Sequence, residues 1–212
     1  MIMKTFNQQP DNLILLVLKL SVFFLLSLIV MNNMHVDARP KIRENGSVNE
    51  LRQKVRKIYN SQIGVREKPP NSGPAVEEYL RYVNLPKGNP WCAAFVCWVY
   101  GKAGVANTKS GWSPDLFPRS KVIWSRGVES RKWKVIGHAQ TSDPRPQTSD
   151  IFGLYFPEKA RIAHVGFIDQ WDGTWLITVE GNTNEAGSRE GDGVYRKKRL
   201  VRTVYKVARY ID

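Results

Sequence analysis

A run of apolar and aromatic residues between Pro90 and Gly104 constrains the fold of this chain more than any other feature. No charged side chain interrupts the run from Trp91 to Tyr100. A helix that is apolar on every side has to be buried, so the rest of the domain must surround it. Pro90 suits a helix start, where its missing N–H costs nothing, and Gly104 suits the position after the last turn. The sequence therefore predicts a buried helix that begins near Cys92.

The first turn of this helix would contain Cys92. Unpaired backbone N–H groups and the positive end of the helix dipole stabilise a thiolate there and lower the pKa of the thiol. Cys97 lies in mid-helix between Val96 and Trp98 and is interpreted as a core residue. The two cysteines point about 140° apart on a helix, so we expect no disulfide between them. Cys92 is therefore a candidate nucleophile, and the alternative is a small buried hydrophobic residue.

The spacing of apolar residues changes along the chain from a helical period to a strand period. Ser47 and Glu50 form a capping-box pattern before apolar positions at helical spacing in residues 51–59, and Pro74 can open a second helix. A further turn of helix is expected at residues 120–124. Helices followed by antiparallel strands indicate an α+β domain. After residue 131 the side chains alternate with a period of two, which predicts strands at residues 133–136, 150–156, 163–171, 174–180, 194–200 and 204–211.

The predicted hairpin that carries His164 turns at Asp172-Gly173 and can be built in two ways. A two-residue turn places His164 opposite Gly181, whereas a three-residue loop with a G1 bulge places it opposite Glu180. The first register would turn Glu180 toward the apolar face of the sheet, where an unpaired carboxylate is costly. We therefore expect the bulged loop, with Glu180 beside His164 on one face. Gly166 on that face would leave room for the buried helix to approach.

Several short motifs resemble those of a known protein family. They are Trp91-Cys92-Ala93-Ala94-Phe95-Val96, His164-Val165-Gly166 and Glu180-Gly181-Asn182, preceded by Ile63-Gly64-Val65-Arg66-Glu67 and Asn71-Ser72-Gly73. Their order and spacing are similar to those of the CHAP family of cysteine, histidine-dependent amidohydrolases and peptidases, which are relatives of NlpC-type cell-wall peptidases. The resemblance covers residues 51–212. It implies a papain-like α+β fold in which N-terminal helices, one carrying the catalytic cysteine, pack on a C-terminal antiparallel sheet of about five to six strands.

The resemblance also implies roles for individual residues. Cys92 would be the nucleophile, His164 the base, and Glu180 the group that orients the imidazole, with Asn182 near it as a further or alternative partner. The backbone N–H of Cys92 is one donor for an oxyanion. The second donor stays open, because Pro86 stands where papain-like enzymes have a glutamine.

Three further residues belong to the motifs without a clear chemical role. Glu67, Asn71 and Trp91 are expected to shape a substrate groove, and for Glu67 and Asn71 a structural role is the alternative. No metal or cofactor is expected, because the three histidines are scattered and the two cysteines share one helix.

The N-terminal residues 1–38 have the pattern of a secretory signal peptide. An apolar segment at residues 13–31, interrupted by Lys19, precedes Val36-Asp37-Ala38, which suits a signal peptidase. The alternative is an uncleaved signal anchor, because residues 13–31 approach the length of a membrane span. Residues 39–50 are interpreted as a linker and residues 51–212 as the catalytic domain. The domain is therefore expected outside the cytoplasm, in the periplasm, in the cell envelope or secreted, or held at the membrane by the anchor.

The chain is strongly basic, with a formal net charge of +13. Basic surfaces attract polyanions, yet no nucleic-acid-binding motif accompanies the charge. We expect a monomer whose partners are peptidoglycan and anionic cell-wall polymers. The expected function is an exported cysteine amidohydrolase or peptidase that cleaves a peptidoglycan amide through a thioester acyl-enzyme. It would act as a muramoyl-L-alanine amidase or as an endopeptidase of the stem or cross-bridge. The alternative is a catalytically silent basic module that binds the wall.

Overall fold

Residues 40–127, 145–186 and 191–212 are described by the structure, a computed structural model. The second of the two compact units of the chain, Val48–Asp212, contains the candidate site. Three α-helices come first in the described chain, α1 (Pro40–Ser61), α2 (Pro74–Tyr82) and α3 (Cys92–Ala103). Short 3-10 helices follow at Ser113–Leu116, Pro157–Lys159 and Val201–Thr203.

A six-stranded antiparallel sheet forms the C-terminal part of the described chain, in the spatial order β1-β6-β2-β3-β4-β5. The prediction of an α+β fold with helices first and a C-terminal antiparallel sheet is confirmed. The strands are β1 (Val122–Ser125), β2 (Ile151–Phe156), β3 (Arg161–Trp171), β4 (Trp175–Thr183), β5 (Gly193–Leu200) and β6 (Lys206–Ala208).

Two local predictions in the first half of the chain are wrong. Helix α1 begins at Pro40, whose fixed φ suits a first helical turn, so Ser47 lies inside the helix and is not its N-cap. The turn of helix expected at residues 120–124 is instead strand β1, which pairs with β6 and buries Ile123. Its β-branched and aromatic residues favour a strand once a partner strand is available. The strand predicted at 133–136 lies outside the described residues.

Helix α3 confirms the prediction of a buried helix. Residues 92–100 are all buried, and Gly104 ends the helix with a φ of +88°. The helix approaches the sheet at Gly181, where an added Cβ would lie 2.7 Å from the ring of Trp91 and 2.9 Å from that of Phe95. The expectation that Gly166 makes this room is wrong. An added Cβ at Gly166 would lie 2.8 Å from Cγ of Glu180, so this glycine makes room for the carboxylate side chain.

The β3–β4 hairpin has neither of the two predicted registers. Trp171 pairs with Leu176, which leaves a four-residue loop. The carboxylate of Asp172 closes this loop by accepting hydrogen bonds from the N–H groups of Thr174 (2.8 Å) and Trp175 (2.6 Å). A side chain that satisfies two loop amides favours the longer connection.

A bulge at Asp169 restores the side-chain parity that the longer loop would have reversed. On the loop side of the bulge Gln170 pairs with Ile177, and on the side away from the loop Ile168 pairs with Thr178. Continued along the strands, this register places Glu180 opposite Gly166, not opposite His164. The shared face predicted for His164 and Glu180 is nevertheless present, because one extra residue shifts the alternation by one.

Buried ion pairs connect the ends of the compact unit. Asp150, directly before β2, accepts hydrogen bonds from Arg52 of α1 (2.9 Å) and from Arg209 near the C-terminus (2.9 Å). All three side chains are at least nine-tenths buried. Two buried guanidinium groups therefore share the carboxylate of Asp150.

Asp150→Ala is expected to lower the free energy of unfolding by about 3–5 kcal/mol, because it removes a buried carboxylate that two buried guanidinium groups share. Asp212→Ala is the matched control, since its pair with Lys121 is 3.5 Å long and both side chains are more than a third exposed. We expect this control to lose less than about 1 kcal/mol. Urea unfolding followed by circular dichroism measures both changes, and equal losses would contradict the assignment.

Candidate active site

Cys92 is the first residue of helix α3, directly after the N-cap residue Trp91. Its Sγ lies 3.5 Å from Oγ of Ser113, and only 5% of the residue is exposed. Burial raises the pKa of the thiol. The hydrogen bond and positive charge of His164, with smaller contributions from Ser113 and the backbone of Val165, outweigh burial and lower the pKa overall. The site therefore favours a thiolate.

His164 lies on β3 with its imidazole buried between a thiol and a carboxylate. Nε2 is 2.7 Å from Oε2 of Glu180. Because Glu180 occupies Nε2, Nδ1 is the ring nitrogen left to interact with the thiol of Cys92. Burial lowers the pKa of His164, but hydrogen bonds with Cys92 and Glu180 and their negative charges raise it to about 9. The imidazole is therefore held in its protonated form at neutral pH.

Glu180 on β4 is held by more partners than the sequence suggested. Arg199 of β5 binds both carboxylate oxygens, with Nε 2.6 Å from Oε1 and Nη2 2.6 Å from Oε2. Thr178 donates a further hydrogen bond to Oε1. Burial raises the pKa of Glu180, but the hydrogen bonds from Arg199 and His164 outweigh it and lower the pKa to about 2. The carboxylate stays ionised although it is fully buried.

The four groups form a row of alternating charge that is buried from Cys92 to Glu180 and partly exposed at Arg199. Thiolate, imidazolium, carboxylate and guanidinium follow one another from Cys92 through His164 and Glu180 to Arg199. Each charge has an opposite charge beside it, which offsets the cost of removing it from water. Such a row can keep a sulfur nucleophile deprotonated beside a proton donor, which is the arrangement that acyl transfer requires.

Asn182 contacts the residue before Cys92. Its φ is +54°, and with its amide oriented so that both ends are satisfied, Oδ1 accepts from the Trp91 N–H at 3.2 Å. Nδ2 then donates to the carbonyl oxygen of Gly191 at 3.0 Å. Asn182 is thus placed to fix the backbone at the start of α3, and the described contacts do not include His164.

The three residues expected at a substrate groove support the loop that leads into α3. Trp91 is fully buried, and its indole N–H donates to Oε2 of Glu67 at 2.8 Å. Oε1 of Glu67 accepts from the backbone N–H of Asn71 at 3.3 Å. The carbonyl oxygen of Asn71 in turn accepts from the N–H of Gly88 at 3.0 Å. These contacts make Glu67 and Asn71 positioning groups for the segment that delivers Cys92.

Cys97 has the core position that the sequence predicted. It is fully buried, its Sγ lies 3.5 Å from the carbonyl oxygen of Ser110, and burial raises the pKa of its thiol. Both cysteines are free thiols. The two thiols therefore have opposite pKa shifts within one helix.

Three residues that contact the site were given no role from the sequence: Ser113, Thr178 and Arg199. Leu176, Thr178 and Glu180 share one face of β4 because they are two residues apart. Arg199 lies on the same face because it pairs with Leu176. The run of four basic residues in β5, at positions 196–199, was a signal for Arg199, but using it required the register of β4 and β5. Ser113 begins a short 3-10 helix, and the sequence pattern of that segment gave no indication of its contact with Cys92.

The described residues contain no group of three or more His, Cys, Asp and Glu side chains that could hold a metal ion. Among the same residues, no helix has both the length and the apolar character needed to span a membrane. The apolar segment at residues 13–31 lies outside the described part of the chain.

Comparison with known proteins gives one family and one solved structure. The family model for the CHAP domain matches residues 84–182. The chain is similar to the peptidoglycan hydrolase RipB from Mycobacterium tuberculosis, with 13% sequence identity, a TM-score of 0.41, and coverage of 87% of this chain and 78% of that one. No curated protein matches the chain. The segment that the CHAP domain model matches, residues 84–182, therefore contains Cys92, His164, Glu180 and Asn182, and the resemblance that the motifs indicated is confirmed there.

Proposed function

We propose that this chain is a cysteine hydrolase that cleaves an amide bond in peptidoglycan. The observation that supports it most is the placement of His164 between Cys92 and the Glu180–Arg199 ion pair. A domain that only bound cell-wall polymers would have no need to hold a buried thiol beside an imidazolium. The CHAP domain match agrees with hydrolysis at this site.

The reaction proceeds through a thioester. The thiolate of Cys92 attacks the carbonyl carbon of the amide, and the backbone N–H of Cys92 at the helix start donates to the oxyanion. His164 gives its Nδ1 proton to the leaving amine as the C–N bond breaks. The neutral imidazole then takes a proton from water, which attacks the thioester and restores the thiolate and the imidazolium. Glu180 keeps its charge throughout and holds the ring through Nε2.

The substrate class follows from the family resemblance together with the charge of the chain. A net charge of +13 favours anionic wall polymers at the protein surface, and residues 1–38 would deliver the domain there as a signal peptide or an anchor. Two bond types are consistent with this chemistry, the muramoyl-L-alanine amide and an amide within the stem or cross-bridge.

Digestion of purified peptidoglycan tests the proposal and identifies the bond. Wild type and Cys97→Ser are expected to release soluble fragments, whereas Cys92→Ala is expected to release none above background. In the mass spectra an amidase yields free peptide stems and peptide-free glycan, and an endopeptidase yields shortened muropeptides. Equal release by wild type and Cys92→Ala would overturn the proposal. Binding to sacculi without any release by wild type would instead favour the silent wall-binding module.

A further inference from the structure

Trp112 and Arg161 form an exposed pair outside the row of catalytic groups. Half of Trp112 is exposed, which is unusual for a tryptophan in this structure. The guanidinium carbon of Arg161 lies 3.7 Å above the centroid of its ring. At this separation the cation and the ring attract each other, and the guanidinium is held against a rigid surface.

Chain connectivity places this pair beside the reactive groups. Trp112 directly precedes Ser113, whose Oγ lies 3.5 Å from Sγ of Cys92. Arg161 precedes His164 by three residues on β3, a separation of about 10 Å along a strand. The pair therefore lies within the reach of a peptide whose amide is bound at Cys92.

A bulge in β3 turns Arg161 toward the same side of the sheet as His164. His164 pairs with Leu154 of β2 and Arg161 pairs with Phe156, while one extra residue of β3 lies between the two pairs. Leu154 and Phe156 share a face because they are two residues apart, and paired residues share a face as well. In a regular strand Arg161 would point to the opposite side.

The guanidinium of Arg161 has hydrogen-bonding capacity to spare. Nη1 donates to the carbonyl oxygen of Ile162 at 3.0 Å, and no carboxylate pairs with Arg161 among the residues that the structure describes. An arginine fixed by a ring and a carbonyl, with N–H groups still free, is suited to bidentate binding of a carboxylate.

We propose that Arg161 and Trp112 form a subsite for a free carboxylate of the substrate peptide, close to the amide that is cleaved. This inference rests on the proposed function, because it assigns the substrate of the same site. The carboxylate accepts hydrogen bonds from Arg161, and the indole of Trp112 keeps the guanidinium in place. The subsite would make the enzyme discriminate between peptide stems with a free carboxyl group and stems in which that group is amidated.

Binding measurements test this independently of turnover. The probes are N-acetylmuramoyl-L-alanyl-D-glutamate with its α-carboxyl group free or amidated, and with the γ-carboxyl group blocked as the methylamide in both. They are titrated by calorimetry into the full chain carrying Cys92→Ala, which cannot consume them. We expect the free acid to bind about tenfold more tightly than the amide, as for a hydrogen bond to a charged group.

The variant Arg161→Gln, added to Cys92→Ala, is expected to bind both peptides equally. Trp112→Ala is expected to reduce the preference for the free acid. The matched control is Arg126→Gln, because Arg126 also lies over an aromatic ring, Tyr205 at 5.7 Å, but next to β1 at the far edge of the sheet. This control should keep the tenfold preference. Circular dichroism and thermal unfolding of each variant establish that it is folded.

Equal binding of the two peptides by the Cys92→Ala protein, or no binding of either, would overturn the subsite. The same conclusion follows if the preference survives in Arg161→Gln. Glycerol 1-phosphate serves as a competitor, and its displacement of the free acid at lower concentration than acetate would assign the site to phosphate of wall polymers instead. Each of these results leaves the digestion experiment unaffected, so failure of the subsite and failure of the proposed hydrolase are distinguishable.

Discussion

Glu180→Gln is expected to lower kcat for amide hydrolysis by between about 10²-fold and 10⁴-fold, the range associated with a positioned acid–base group and its orienting carboxylate. The carboxylate holds Nε2 of His164 at 2.7 Å and contributes to raising the pKa of the imidazole to about 9. A neutral amide cannot stabilise the imidazolium in this way. Without the imidazolium, Cys92 loses the group that lowers the pKa of its thiol.

Loss of stability has to be separated from loss of chemistry, because Glu180→Gln also removes the partner of Arg199. Asp169→Asn is the matched control. Asp169 is a buried carboxylate bound by Arg56 (2.8 Å) and Arg196 (2.6 Å), and these hydrogen bonds outweigh burial to lower its pKa to about 2. Both variants should unfold more easily, but only Glu180→Gln should lose turnover well below its unfolding temperature. An equal loss of turnover in both would assign the effect to folding.

The features that local pattern determines could be predicted from the sequence. The run from Trp91 to Tyr100 has no polar face, so it predicted a buried helix. The position of Cys92 at the start of this helix could be predicted with it. The shared face of His164 and Glu180 was also predictable. Burying an unpaired carboxylate costs more free energy than any difference between turn types. The face of the sheet on which Glu180 lies could therefore be predicted, although the length of the loop could not.

The features that depend on distant partners could not be predicted in the same way. The bulge at Asp169 fixes the register, and the carboxylate of Asp169 binds Arg56, which lies 113 residues away in the chain. No pattern near the hairpin indicates that partner. Arg199 became visible as the partner of Glu180 only once the pairing of β4 with β5 was known. The prediction that Gly166 makes room for helix α3 was wrong, because Gly181 faces the helix and Gly166 faces Glu180.

A thiolate–imidazolium pair between Cys92 and His164 is expected to be the dominant state at neutral pH. The pKa of Cys92 is lowered and that of His164 is raised to about 9, so the pair exists between the two values. Below this window the thiolate becomes protonated and kcat/KM falls. Above about pH 9 the imidazolium loses the proton that the leaving amine needs, and kcat/KM should fall about tenfold per pH unit. The profile of kcat/KM on a soluble muropeptide gives both limits.

The rate of alkylation of Cys92 by iodoacetamide as a function of pH tests this ion pair most directly, because it needs no substrate. The measurement uses a Cys97→Ser background, so that only one thiol reacts, and mass spectrometry locates the adduct. The predicted result is an inflection well below the value of about 8.5 for a free cysteine, which moves upward in Glu180→Gln. A single inflection at or above about 8.5, unchanged by Glu180→Gln, would contradict the assignment of Cys92, His164 and Glu180 as one catalytic unit.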